Sequence, residues 1–338
     1  MQDRSISRFA LSIAAAGLVA VCAWAAPGGA QAQPQGAAEF PQRPVTLVVP
    51  YATGGPTDAM ARAIAAALRQ QLGQTVIVEN RAGAGANLGA EHVARAAPDG
   101  YTIMLGTPAP LAINVSLFRK INYHPLRDFA PVIHIGSIPN VLAVHPKVPA
   151  GNLKELLAYA KANPGKLNFA SSGNGATSHL AGVLFNRMAG TDLQHVPYKG
   201  TGPAMIDLLG GQVDMTFTDV LTALPHLRAG KLKAIGMASA TRSQVLPDVP
   251  TLAEQGLSGY DSSVFFGVVA PARTPEPVLM KLNQAMRGAL DDAVVSKLLL
   301  DQGLQRARDT APQAFSAFLK TEVDKWAEVV KSSGAQVD

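Results

Sequence analysis

Cysteine is almost missing from this chain of 338 residues: Cys22 is its only one. It sits in a stretch that reads as an export leader, so the mature chain is left without disulfides or thiolate metal sites. Lipid attachment at Cys22 is disfavoured, because Val21 stands where a lipoprotein signal carries a small residue. Charge is sparse too. Lys, Arg, Asp and Glu together make up 16% of the residues, and the formal net charge is only +5. The basic residues are scattered, which argues against a nucleic-acid partner and fits a solvated exterior. After the leader no segment approaches the roughly 18 to 20 uninterrupted apolar residues of a membrane span. His92, His124, His134, His145, His195 and His226 lack metal-ligand spacing, so no metal is expected. Gly83 to Gly89 misses the dinucleotide fingerprint by one residue and follows Glu79-Asn-Arg81 rather than a strand end. It reads as a loop with a helix N-cap at Asn87, and no cofactor is expected.

The leader occupies residues 1–32. Arg4 and Arg8 precede an apolar stretch from Phe9 to about Ala26, and Ala30-Gln31-Ala32 has the small-x-small form of a signal-peptidase site. Cleavage before Gln33 and export follow. A retained anchor is the weaker reading, because Ser12 and Gly17 interrupt the apolar stretch. Residues 33–40 are polar and Ala/Gly-rich, a short tail.

From Pro41 onward, strand-like runs alternate with helical patterns: Val45 to Val49, Thr75 to Val78, Tyr101 to Leu105, Val141 to Val144, Leu167 to Ala170, Val213 to Phe217 and Lys233 to Ala238. This alternation predicts α/β layering with largely parallel sheets. A mature chain of this length exceeds what one core usually supports, so two sheet domains are expected. The crossings are placed near Ile135 to Val141 and Ser262 to Phe266. Domain 1 is then interrupted, 33–138 with 263–338, and domain 2 is 139–262. The chain closes in helices, Pro275 to Leu290 and one started by Thr310-Ala-Pro312 that carries Phe315, Phe318, Leu319, Glu322, Trp326 and Val329 as core.

Two Gly-rich turns carry the chemistry. In the first, Val45 to Val49 stops at Thr53-Gly-Gly-Pro-Thr-Asp58 and gives way to a helix with Ala61, Ile64, Ala65, Leu68 and Leu72 on one face. Gly54 and Gly55 let backbone approach a ligand, Pro56 suits a first helical position, and Asp58 complements the helix dipole. The second is Ser171-Ser-Gly-Asn-Gly-Ala-Thr-Ser-His179, again between a strand and a helix. Ser171 and Ser172 supply hydroxyls, Gly173 and Gly175 open the backbone, and Thr177 or Ser178 donates from the first turn. Neither turn contains Lys or Arg. Facing each other across a cleft, they would hold a carboxylate by backbone N–H groups, with positive φ expected at Gly55 and Gly173.

These strings, with Val78-Glu-Asn-Arg-Ala-Gly-Ala-Gly85, Pro98-Asp-Gly-Tyr-Thr102, His195-Val-Pro-Tyr-Lys-Gly200 and Leu246-Pro-Asp-Val-Pro-Thr251, resemble the Bug family of extracytoplasmic solute receptors. The likeness runs from about Pro41 to the C-terminus. It implies a two-domain periplasmic binding protein, a type II-like Venus flytrap whose interdomain cleft grips a small carboxylate. That ligand would be an organic di- or tricarboxylate or an acidic amino acid. Such a receptor is a periplasmic monomer, not an enzyme, and hands its ligand to the membrane permease subunits of a tripartite tricarboxylate-type transporter. Carried over by position, the ligand-binding residues are Thr53, Gly54, Gly55, Thr57 and Asp58 in one turn. Ser171, Ser172, Gly173, Asn174, Gly175 and His179 come from the other. Two positions depart from the family's habit: Ala176 where Ser is common, and Thr53 where a small apolar residue is common.

Thr107 and Thr218-Asp219 end strands in the same way and are further cleft candidates. Asp219 would repel a second carboxylate yet receive an ammonium, or it simply caps a helix. His179 with a nearby serine leaves a secreted serine hydrolase as an alternative, although no Gly-x-Ser-x-Gly elbow exists. A ligand-sensing module for a two-component system is the other.

Overall fold

The computed structural model describes residues 40–337, so the leader, Cys22 and the cleavage point before Gln33 lie outside the described residues. The chain opens with β1 (Val45–Val49), α1 (Pro56–Leu72), β2 (Val76–Asn80), α2 (Asn87–Ala94), β3 (Thr102–Gly106), α3 (Asn114–Leu117) and β4 (Phe129–Ile138). It continues through β5 (Asn140–Val144), α4 (Leu153–Ala162), β6 (Asn168–Ser171), α5 (Thr177–Ala189), β7 (Gln194–Pro197), α6 (Thr201–Leu209), β8 (Met215–Asp219), α7 (Val220–Arg228) and β9 (Lys233–Met237). It returns with β10 (Val264–Pro271), α8 (Glu276–Leu290), α9 (Ala293–Asp301), β11 (Gln305–Arg306) and α10 (Pro312–Ser333). One sheet has the order β11-β4-β10-β3-β1-β2, the other β7-β6-β8-β5-β9. We call the layers around them the first and second lobes.

Apolar periodicity explains most elements. β5 is buried at every residue, and α1 buries Ala61, Ile64, Ala65, Leu68 and Leu72 before Gly73 ends it in the left-handed region. Asn152 caps α4 by accepting from the Glu155 N–H at 3.0 Å. The sheets are mixed rather than largely parallel. β10 runs antiparallel to β3 and β4, and β5 antiparallel to β8 and β9. The reason is topological: β5 and β10 enter their sheets from the other lobe, not through a helical crossover on the same sheet. Asn87 is not a cap either. It is the first residue of α2, and its side-chain oxygen accepts from Asn114 Nδ2 at 2.7 Å and the Tyr123 hydroxyl at 2.9 Å.

The crossings are tight. β4 ends at Ile138, directly paired with Val264 of β10, and only Pro139 separates it from β5. Asn140 Nδ2 donates to the Ser262 carbonyl at 2.7 Å, so the outgoing and returning chains are tied together inside the protein. α10 packs on β4 of one lobe and α5 of the other. Its buried Phe315, Leu319, Trp326 and Val329 join a core that includes Phe185, Phe217 and Tyr260. Trp326 is fully buried and donates from Nε1 to Glu322 Oε2 at 2.9 Å. Trp326→Ala leaves a large cavity there and strips one partner from the Glu322 carboxyl, which keeps Lys325 Nζ at 2.6 Å; it is expected to cost about 3 to 5 kcal/mol, read as a lower urea midpoint.

Candidate functional site

The second turn is organised by its own side chains. Ser171 is fully buried at the end of β6, its Oγ 2.6 Å from His195 Nε2 on β7 and accepting from the Gly173 N–H at 3.1 Å. The Ser172 N–H donates to Ser178 Oγ at 3.0 Å, and the two hydroxyls lie 3.1 Å apart. The Gly175 N–H donates to His179 Nδ1 at 3.0 Å, which requires that nitrogen to be unprotonated. The His179 and His195 rings stack at 3.9 Å, with Phe169 alongside. Gly173 at φ 137° and Gly175 at φ 75° adopt backbone that L side chains resist, and a Cβ on Gly175 would lie 2.7 Å from Leu117 Cδ2. Asn174 is exposed at the tip.

Beside this turn lies a cavity of about 100 Å³ lined by Asn140, Ser172, Thr177, Ser178, Thr201, Ala204, Thr216, Phe217, Thr218, Asp219 and Val264. Three helices begin here. α5 starts after Ala176 and α6 after Gly200, neither with a side-chain cap, so no cap side chain takes the first-turn N–H groups, which in α6 exclude Pro203. α7 is capped by Asp219, whose Oδ1 accepts from the Thr222 N–H at 2.8 Å and whose Oδ2 accepts from Thr222 Oγ1 at 2.6 Å. Thr216 spends its hydroxyl on the Ala170 carbonyl, leaving the Ser172, Thr177, Ser178, Thr201 and Thr218 hydroxyls as polar lining. Among the described residues, no Lys or Arg lines the cavity. Such a wall suits a small anion held by aligned N–H groups and hydroxyls.

Thus Ser172, Thr177, Ser178, Thr218 and Asp219 come together around this cavity. Thr53, Gly54, Gly55, Thr57 and Asp58 do not line it, nor do Thr107, Ser171, Gly173, Asn174, Gly175 and His179. In the first turn Gly54, at φ 88°, carries the unusual backbone, whereas Gly55 is extended at φ −80° because it is the N-cap of α1. Asp58 is buried and accepts from the Gly54 N–H at 3.0 Å, Arg62 Nε at 2.9 Å and Asn80 Nδ2 at 2.9 Å. The Arg62 bond, then the Gly54 N–H, hold its carboxyl down at about 2. Asp58 therefore braces the turn. Thr107 is buried against the Tyr51 hydroxyl at the end of β3.

Asn140, Thr201 and Thr218's neighbour Thr216 were not singled out as candidates from sequence. Thr201 had a readable signal: Gly200, at φ 111°, follows β7 and precedes a helix in the same strand–Gly–helix pattern as the two chosen turns.

A family model described as the tripartite tricarboxylate transporter family receptor matches residues 60–335. The chain belongs to this family. It is similar to protein BugT of Bordetella pertussis, with 39% identity over 307 residues, 90% of this chain and 94% of that one. Among solved structures, MatC of Rhodopseudomonas palustris with bound malate is 41% identical at a TM-score of 0.69, covering 86% of this chain and 100% of that one. R. palustris Rpa4515 with adipate is 36% identical at a TM-score of 0.71, covering 88% and 100%. This chain is a Bug-type periplasmic solute-binding receptor with the two-domain binding-protein fold.

The receptor's second turn carries a pH dependence. Burial, then the adjacent His195, lowers the His179 pKa from 6.5 to about 4, and burial also lowers that of His195. The unfolded chain therefore takes up these protons first. Stability is fully present above pH 6.5 and is lost as pH falls from 6.5 through about 4. Thermal melts across that window should show a falling midpoint in the parent and a shallower fall in His179→Gln; identical slopes would mean that His179 does not contribute.

Proposed function

We propose that this receptor captures a small organic carboxylate, unchanged by chemistry, and passes it to the membrane permease subunits of a tripartite tricarboxylate-type transporter. The observation that carries this reading is the cavity walled by the uncapped starts of α5 and α6, by hydroxyls, and by no basic side chain. Aligned N–H donors at helix starts hold an anion at roughly 1.5 to 3 kcal/mol per charge-assisted bond. Malate and adipate in the two R. palustris relatives support an organic acid as the ligand here.

On this reading the lobes are domains 33–138 with 263–338 and 139–262, closing about the crossings. Closure brings Thr53, Gly54, Gly55, Thr57 and Asp58 toward Ser171, Ser172, Gly173, Asn174, Gly175 and His179, and Thr107 backs the first turn. The leader sends the chain to the periplasm, where it works as a monomer without metal or cofactor. The hydrolase alternative loses ground on geometry. His179, the histidine that alternative needs, accepts the Gly175 N–H through Nδ1, and Ser171, fully buried, meets His195 rather than His179.

Calorimetry against mono-, di- and tricarboxylates tests the reading: reversible binding with the acid recovered intact is expected, and turnover would overturn it. Gly55→Val is the sharper probe. Its backbone is already extended and an added Cβ meets only the Ala52 carbonyl oxygen at 3.8 Å, so the melting temperature should hold. Affinity should fall about tenfold or more as the side chain blocks backbone approach to the ligand, while Lys161→Ala does nothing. Small-angle scattering should show a smaller radius of gyration at saturation.

A further inference from the structure

Resting on the carboxylate-receptor reading, we propose that Asp219 makes this site select an acid that also carries a hydrogen-bond donor, an ammonium ahead of a hydroxyl, over the plain dicarboxylate of the same length. Among the residues lining the cavity, Asp219 is the only one that carries a charge, and that charge is negative. Its position is fixed by α7: Thr222 occupies one acceptor site on each carboxylate oxygen, through its N–H at 2.8 Å and its hydroxyl at 2.6 Å. An ionised carboxylate has about four such sites, so each oxygen keeps acceptor capacity for a second partner.

The other polar groups are adaptable. The hydroxyls of Thr177, Thr201 and Thr218 donate or accept by rotating, and those of Ser172 and Ser178 already meet each other, so all place little demand on the ligand. Asp219 accepts only. A ligand carboxylate brought against it inside a cavity of about 100 Å³ meets a like charge at short range, with no Lys or Arg in the wall to offset it. A ligand N–H or O–H there makes a charge-assisted bond instead. The walls therefore have opposite requirements: the starts of α5 and α6 take an anion, and Asp219 takes a donor. A small acid with an ammonium or hydroxyl near its carboxylate satisfies both at once.

Succinate, malate and aspartate share one four-carbon dicarboxylate skeleton and differ only in hydrogen, hydroxyl or ammonium at the second carbon. Calorimetry on the full mature receptor should give aspartate about tenfold or more tighter than succinate, with malate between, because the polar site is left unmatched by the plain acid. Asp219→Asn keeps a good helix cap, so the melting temperature should hold. It should weaken aspartate, strengthen succinate and bring their ratio near unity. Succinate binding as tightly as the other two, adipate binding where aspartate and malate do not, or an unchanged ratio in the variant each overturns the role of Asp219 while the carboxylate reading stands. Silence from all four acids, with a thermal-shift panel of mono- and tricarboxylates equally flat, overturns both.

Discussion

The first turn of a helix has backbone N–H groups with no partner in the helix, and hiding them unsatisfied is costly. Small side-chain caps usually meet that need. In the second lobe α4 follows the rule through Asn152 and α7 through Asp219, yet α5 and α6 begin at Ala176 and Gly200 without one. Both uncapped starts border the same cavity. The turns around it are held locally: Gly173, Gly175 and Gly200 adopt positive φ ahead of these helices, and Ser171, Ser178 and His179 bond the second turn to itself. Donors held in place before a ligand arrives need no reorganisation when it does.

The same cavity touches the connection between lobes. Asn140 begins β5, lines the cavity and ties the outgoing chain to the returning one through Ser262, while Val264 contributes from the first residue of β10. On the proposed reading, a ligand in this cavity touches both lobe-crossing chains as well as the helix starts. On the proposed flytrap reading, binding energy has a direct route into lobe geometry, because residues that line the ligand's space are those at the crossings.

Much of the fold was legible because its signals are local. β1, β5 and β9 show as apolar runs, and α1, α8 and α10 as helical faces. β4 escaped because Pro131, His134, Gly136 and Ser137 break its apolar pattern, and β7 because Gln194 to Pro197 is short and partly exposed. Strand direction was misjudged for a different reason: periodicity reports which residues face a core but not which lobe a strand came from. At the site, the Gly-rich turns and Asp219 were readable from composition. Asn140 was not, since its role comes from a partner far along the chain at Ser262.

The proposed binding wall, without lysine or arginine, has a consequence for recognition. A guanidinium or ammonium attracts any anion at a distance, whereas N–H groups at helix starts act within their own first turn and demand a correctly placed acceptor. Attraction is thereby traded for geometry. The general need for a carboxylate can be met by backbone, which side-chain substitution barely alters, and the identity of the acid is left to a few side chains on the opposite wall. Thr218, Asp219 and Asn140 occupy that wall in this receptor, on strand ends β8 and β5 that the sheet holds in register, Asn140 opposite Asp219. Specificity can then change by single substitutions there without disturbing the turns that hold the charge.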